Sequence, residues 1–151
     1  MQGTIMNEIR QILKYASLFR GLSDAQLGRV AEIAQSEHYN AKDVIFSQDT
    51  LGDKMYIISS GQVEVRVQDN SGQSHSAIYL GQGQVFGEMA LLDQGTRSAS
   101  IIAAQNNTVV YSIPGAAFTI LCQQDTGIGY IMMRNIALDL SFKIRHQNFD
   151  T

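Results

Sequence analysis

The chain of 151 residues reads as α+β, with helices at both ends and an all-β core between them. Two changes of hydrophobic period carry that reading. Apolar residues recur at helical spacing up to about residue 35 and again beyond Pro114, whereas in between they alternate. The third observation is punctuation. Turn residues cut the middle of the chain into several short strands, the pattern of a compact antiparallel sandwich or barrel.

Taken in order, Ile5, Ile9, Ile12, Leu13 and Ala16 share one face of a first helix. A second helix follows Gly21. Ser23, with Gln26 three residues on, is a capping-box signature, and Leu27, Val30, Ala31 and Ala34 form the apolar stripe behind it. Helices are therefore expected within 5–35. From about His38 the period is two. Val63, Val65 and Val67 alternate with Glu64, Arg66 and Gln68, a strand with one wet face. Further strands are expected at 44–46, 55–59, 76–80, 99–104 and 108–113. Between them lie turn residues at Asp49 to Asp53, Ser60-Gly61, Asn70 to Gly72, Gly81 to Gly83 and Asn106-Asn107. The strand region is thus 38–113. Pro114 suits the first turn of a helix, and GAAFTILCQQ reads as a short helix. A long helix follows Asp125, which places the C-terminal helices at 114–147. With no repeat, linker or low-complexity stretch, 1–151 is expected to form one domain.

In the last helix Ile128, Met132, Ile136, Leu140 and Ile144 make one apolar face, joined by Met133 and Ala137. Ile131, Leu138 and Phe142 make a second, with Arg134, Ser141 and Arg145 between them. A helix lying on its own domain needs only one such face. The second face points to a partner; a broad stripe frayed at its end is the other reading.

Composition excludes several classes. Apolar residues make up 44% and charged residues 17%, as in an ordinary globular chain. A net charge of -3 speaks against a nucleic-acid surface, which needs clustered Lys and Arg. No apolar run approaches the roughly 18 residues of a membrane span, so no membrane insertion is expected. The N-terminal MQGTIMNEIR has no basic flank before an apolar core. The single cysteine, Cys122, cannot form an internal disulfide and reads as a small buried hydrophobe, so the expected location is cytoplasmic. His38, His75 and His146 lie in separate segments with no paired spacing, so no metal site is expected. Neither G-x-S-x-G nor a Walker-type lysine loop occurs, and no enzyme is expected.

The stretch FGEMALLDQGTRSA, Phe86 to Ala99, is the candidate site. A short helix opening at Gly87-Glu88 turns unpaired N–H groups toward one spot, which suits an anion. Gly87 lets backbone approach a ligand closely. Arg97 offers a planar fork for two phosphate oxygens, and Ser98 a hydroxyl. Glu88, ionised, only accepts hydrogen bonds and suits hydroxyl donors. Phosphate on one side and hydroxyls on the other describe a nucleotide ribose phosphate. The same two charges also fit a plain ion pair across a loop, which is worth little.

F-G-E-M-A-L, five residues, then R-S-A-S-I-I-A resembles the phosphate-binding cassette of cyclic nucleotide-binding domains. Such domains occur in bacterial catabolite-type regulators, protein kinase A regulatory subunits and cyclic-nucleotide-gated channels. VIFSQDTLGDKMYIISSGQVEV resembles the family's upstream pattern, including Gly52-Asp53 and Gly61. The resemblance covers Tyr15 to Gln147. It implies an eight-stranded antiparallel β-roll, a double-stranded β-helix of the jelly-roll type, flanked by N-terminal helices and a long C-terminal helix. It also implies that Glu88 accepts the ribose 2′-OH and Arg97 pairs with the cyclic phosphate of cAMP or cGMP. Gly87 and Ala90 would give backbone contacts, Ser98 would meet phosphate or a guanine amino group, and Met89 and Ala99 complete the ligand-binding set. Asp49 stands where the family often has Gly, and Thr96 where it often has Pro. In the family the last helix caps the base and often forms the dimer seam, so Leu138 and Phe142 are candidate base caps. No cofactor is implied beyond the ligand. The chain ends soon after this helix, with no room for a helix-turn-helix. The expectation is a sensor that contacts no DNA itself and signals through its C-terminal helix to a protein partner or a second copy, or else an excised module of a larger protein. The alternative is a degenerate roll acting as an interaction or dimerisation module without nucleotide. A metal-dependent enzyme of the cupin type, which shares the roll shape, lacks its ligands here.

Overall fold

The structure, a computed structural model, describes residues 2–93 and 95–150, and side chains at 3–93 and 95–146. Of the expected 1–151 span, Met1, Gln94 and Thr151 lie outside the described residues.

The N-terminal helices are α1 (Gln2–Tyr15) and α2 (Asp24–Glu32), joined through a 3-10 turn at Ser17–Phe19. The Ser23 hydroxyl accepts from the Gln26 N–H while the Gln26 side chain accepts from the Ser23 N–H, so the expected capping box forms. The strands are β1 (Gln35–Tyr39), β2 (Val44–Phe46), β3 (Lys54–Ser60), β4 (Val63–Gln68), β5 (Ser74–Leu80), β6 (Val85–Phe86), β7 (Ser100–Ala103) and β8 (Thr108–Pro114). They form two four-stranded antiparallel sheets, ordered β1-β8-β3-β6 and β2-β7-β4-β5. The fold is α+β, with the eight-stranded jelly-roll core that the resemblance implies.

Strand β1 begins ahead of His38, pairing Gln35 with Ser112 of β8; Gln35, Ser36 and His38 are exposed and polar, so no apolar alternation announces that start. Pro114, expected in the first turn of a helix, instead closes β8 with extended dihedrals (φ -64°, ψ 134°) and caps α3 (Gly115–Gln124). Asp125 then opens α4 (Thr126–Asp150): its Oδ1 accepts from the Ile128 N–H at 3.2 Å, and its Oδ2 accepts from Arg29 at 3.0 Å.

Strand β3 divides two cores. Met55 and Ile57 face the helices, packing with Leu13, Phe19, Phe118, Ile128 and Met132. Tyr56 and Ile58 face into the roll, with Val63, Phe86, Ile101 and Val110. A strand covered on both faces reads as an unbroken apolar run, as MYII does.

Along α4 the expected first face holds only in part. Ile128, Met132 and Ile136 are buried and Leu140 is half-buried, but Met133, Ala137 and Ile144 are exposed. At 3.6 residues per turn a step of four advances about 40°, so four such steps carry Ile144 roughly 160° around from Ile128. Leu138 and Phe142, on the second face, are exposed as well.

Candidate functional site

The site forms where two loops zip together. The Arg97 N–H donates to Thr50 O (2.7 Å), the Asp49 N–H to Arg97 O (2.8 Å) and the Gly52 N–H to Gly95 O (2.9 Å), with Leu51 bridging Thr96. Asp49 takes a left-handed conformation (φ 70°), which aspartate tolerates better than most residues. This pairing holds Arg97 beside the turn that follows β6. There Gly87, also left-handed (φ 73°), starts a 3-10 turn, Glu88–Leu91. That turn is short, a single turn rather than a helix. Its Ala90 O packs so closely on the first residue of α3, Gly115, that a Cβ there would lie 2.6 Å away.

Arg97 is the centre of the arrangement. It is only 8% exposed. Its Nη2 donates to Lys54 O at 2.7 Å and its Nη1 to Gly87 O at 3.4 Å, while its Nε, also buried, has no partner. The guanidinium lies 3.9 Å from the centroid of the Phe46 ring, a cation–π contact. Phe46 in turn packs on Tyr56 and Phe86, which stack at 4.9 Å. Burial pushes the Arg97 pKa down while Tyr56 and Asp53 oppose the shift, and the group stays charged at neutral pH. Burial also pushes the Tyr56 phenol up to about 12, so this floor is neutral. Among the described residues Arg97 forms no ion pair. A desolvated cation held by two carbonyls and an aromatic ring, with no carboxylate, is set to receive an anion.

Gly52 and Gly87 make that placement possible. A Cβ on Gly52 would lie 2.8 Å from the Arg97 Cζ, and one on Gly87 would lie 2.8 Å from its Nη1.

A cavity of about 540 Å³ opens over these groups. It is lined by Gly87, Glu88, Met89, Ala90, Arg97, Ser98 and Ala99, so all seven expected binding residues meet in one place. Phe46, Val65, Leu80, Val85 and Phe86 supply apolar walls. Leu138 and Phe142, the candidate base caps, do not line it. Phe142 lines a neighbouring cavity and packs on His146, ring centroids 3.9 Å apart. Helix α4 reaches the first cavity through Lys143, whose Nζ donates to Glu88 Oε1 at 3.1 Å. Glu88 therefore pairs with Lys143, and the loop-spanning Glu88–Arg97 pair weighed above does not form. Among the described residues no cluster could hold a metal ion, and no helix is long and apolar enough to cross a membrane.

The family model for the cyclic nucleotide-binding domain matches residues 36–125, more than half the chain and all of the cassette. The chain belongs to the cyclic nucleotide-binding domain family. A cyclic AMP receptor protein of Thermus thermophilus is 35% identical over 98 residues, 65% of this chain and 45% of its own. The cGMP-dependent protein kinase egl-4 of Caenorhabditis briggsae is 31% identical over 114 residues, 75% of this chain but 15% of the kinase. The chain thus spans less than half the length of these relatives. The crystal structure of the Thermus thermophilus catabolite activator protein superposes with a TM-score of 0.80 at 29% identity, covering 89% of this chain and 61% of the other.

Within this cyclic nucleotide-binding domain, reading the cassette alone missed Phe46, Gly52, Lys54 and Lys143. Gly52 stood in the upstream stretch that carried the resemblance, but nothing local ties it to Arg97. Lys143 did leave a signal. It falls seven residues after Ile136, only about 20° around the helix from that buried side chain, so it continues the inward face.

Proposed function

We propose that this chain binds a cyclic nucleoside monophosphate, cAMP or cGMP, as a regulatory sensor and not as an enzyme. One observation carries the reading: the buried, unpaired Arg97 guanidinium faces the same cavity as the Glu88 carboxylate. The cyclic phosphate takes Arg97, and the ribose 2′-OH donates to Glu88. The apolar walls leave room for a base. Relatives named for cyclic AMP reception and for dependence on cGMP support the ligand class. Isothermal titration with cAMP, cGMP and non-cyclic 5′-AMP tests it. Micromolar or tighter binding of a cyclic nucleotide, with 5′-AMP much weaker, is the expected result. No heat with either cyclic nucleotide sinks the reading and leaves an interaction module in its place. The 2′-deoxy analogue should bind less well than its ribose parent, because Glu88 then lacks its hydroxyl donor. Equal affinities remove Glu88 from that role.

The signal passes through α4 to a partner in the cytoplasm, most simply a second copy of this chain. Ligand shifts the helix only through contacts that differ between its positions. Tyr130, Met133, Leu138, Phe142 and Ile144 are large exposed apolar residues on this one helix, Phe142 at 63%. Phe142→Ala should therefore move the protein toward monomer in light scattering while nucleotide affinity holds. Lost affinity at unchanged mass would make Phe142 a base lid instead.

A further inference from the structure

Lys143 occupies an unusual position. Its ammonium is the donor that Glu88 holds in this structure, at 3.1 Å, and it reaches into the cavity from a helix 55 residues away in sequence. Glu88 and Lys143 also line a second cavity, about 450 Å³, which extends toward Tyr15, Gln84 and Phe142. The ion pair is thus a partition with open space on both sides. Asp139, one turn back on α4, lines the second cavity as well. A lysine four residues after an aspartate on a helix can pair with it. Asp139 Oδ1 already lies 3.5 Å from Arg20 Nη2, so a Lys143 that leaves Glu88 has room and a carboxylate to share with Arg20.

We propose that Lys143 is a specificity-determining residue of this pocket: it occupies Glu88 as an internal competitor of the ligand's 2′-hydroxyl. The proposal rests on the functional reading above. An ionised carboxylate only accepts, and both Lys143 and a ribose hydroxyl supply donors to it. A ribose ligand gains its bond to Glu88 at the expense of the ion pair, and Lys143 swings toward Asp139. A 2′-deoxy ligand leaves the pair in place. The pair accordingly lowers the protein's preference for ribose below what Glu88 alone would give. It also links occupancy of the ribose site to the last turns of α4, which lose their tether to the Glu88 turn when a hydroxyl arrives.

The test is a cycle of two ligands and two proteins, cAMP and 2′-deoxy-cAMP against the parent chain and Lys143→Met. Removing a positive charge weakens attraction to the phosphate about equally for both ligands, so that effect cancels in the ratio of affinities. The Lys143 side chain is 57% exposed, and exposed pairs are worth little. The ribose preference should therefore widen in Lys143→Met by about two- to fivefold. Raising salt from about 0.1 M to 1 M should widen the parent's preference toward that of the variant and leave the variant's own preference flat. Lys143→Arg, which can re-form the pair, should keep the parental ratio. A Lys143→Met ratio equal to or below the parent's overturns the assignment, because Glu88 then serves the hydroxyl with Lys143 still in place. A parent chain that binds neither ligand overturns the functional reading and this proposal together. Binding with an unchanged ratio overturns this proposal alone.

Discussion

Replacing Arg97 with leucine should weaken cAMP or cGMP binding by about 2–5 kcal/mol, the range for removing one partner of a buried charge pair. That is roughly thirtyfold to several thousandfold in affinity. The loss is large because the guanidinium stands 8% exposed on an aromatic floor, where water does not compensate a phosphate for a missing cation. Lysine at this position should recover only part of the affinity, since a single ammonium cannot present the planar fork. The substitution also touches stability. Lys54 O and Gly87 O both accept from Arg97, so the leucine variant should unfold at lower urea than the parent while keeping its circular dichroism spectrum. Calorimetry on the folded variant separates the two effects. Parental affinity there would remove Arg97 from the phosphate site.

A second large effect is expected far from the cavity. Asn135→Leu should destabilise the fold by about 1–3 kcal/mol, the desolvation cost of buried acceptors left without a donor. Asn135 is 2% exposed, and its Nδ2 donates to Leu18 O and Arg20 O, both at 2.8 Å. Those bonds fasten α4 to the 3-10 turn at Ser17–Phe19. Leucine keeps asparagine's branched outline with bulkier methyl ends and cannot donate, so both hydrogen bonds are lost. Urea denaturation reads the effect directly, and an unchanged midpoint would show that the two carbonyls find other donors. Because Lys143 lies two turns further along α4, amide exchange near the end of the helix should also quicken.

What the sequence determined by itself was whatever chain-local chemistry decides. The Ser23–Gln26 capping box, the helix GAAFTILCQQ and the alternating Val63–Val67 strand all follow from neighbours a few residues apart. So does the cassette, because Gly87 to Ala90 and Arg97 to Ala99 lie on one short segment that bends back on itself. Its residue types pointed to an anion with hydroxyl donors before any fold was known. Tertiary structure alone decided the partners. The choice between an Arg97–Glu88 pair and two separate charges depended on Lys54, Gly87 and Phe46 offering Arg97 carbonyls and a ring. The Glu88 partner came from α4, across 55 residues. Periodicity placed Ile144 on the inward face of α4, but the i+4 row drifts around a 3.6-residue helix until Ile144 faces solvent, while the exposed Lys143 is the residue that reaches the cavity. Asn135 interrupts the buried face with a polar side chain that only the Leu18 and Arg20 carbonyls explain. Local sequence specifies dihedral preference and the chemistry each residue can offer. Which donor meets which acceptor is settled by packing, since contacts between distant segments exist only once the two cores have brought those segments together.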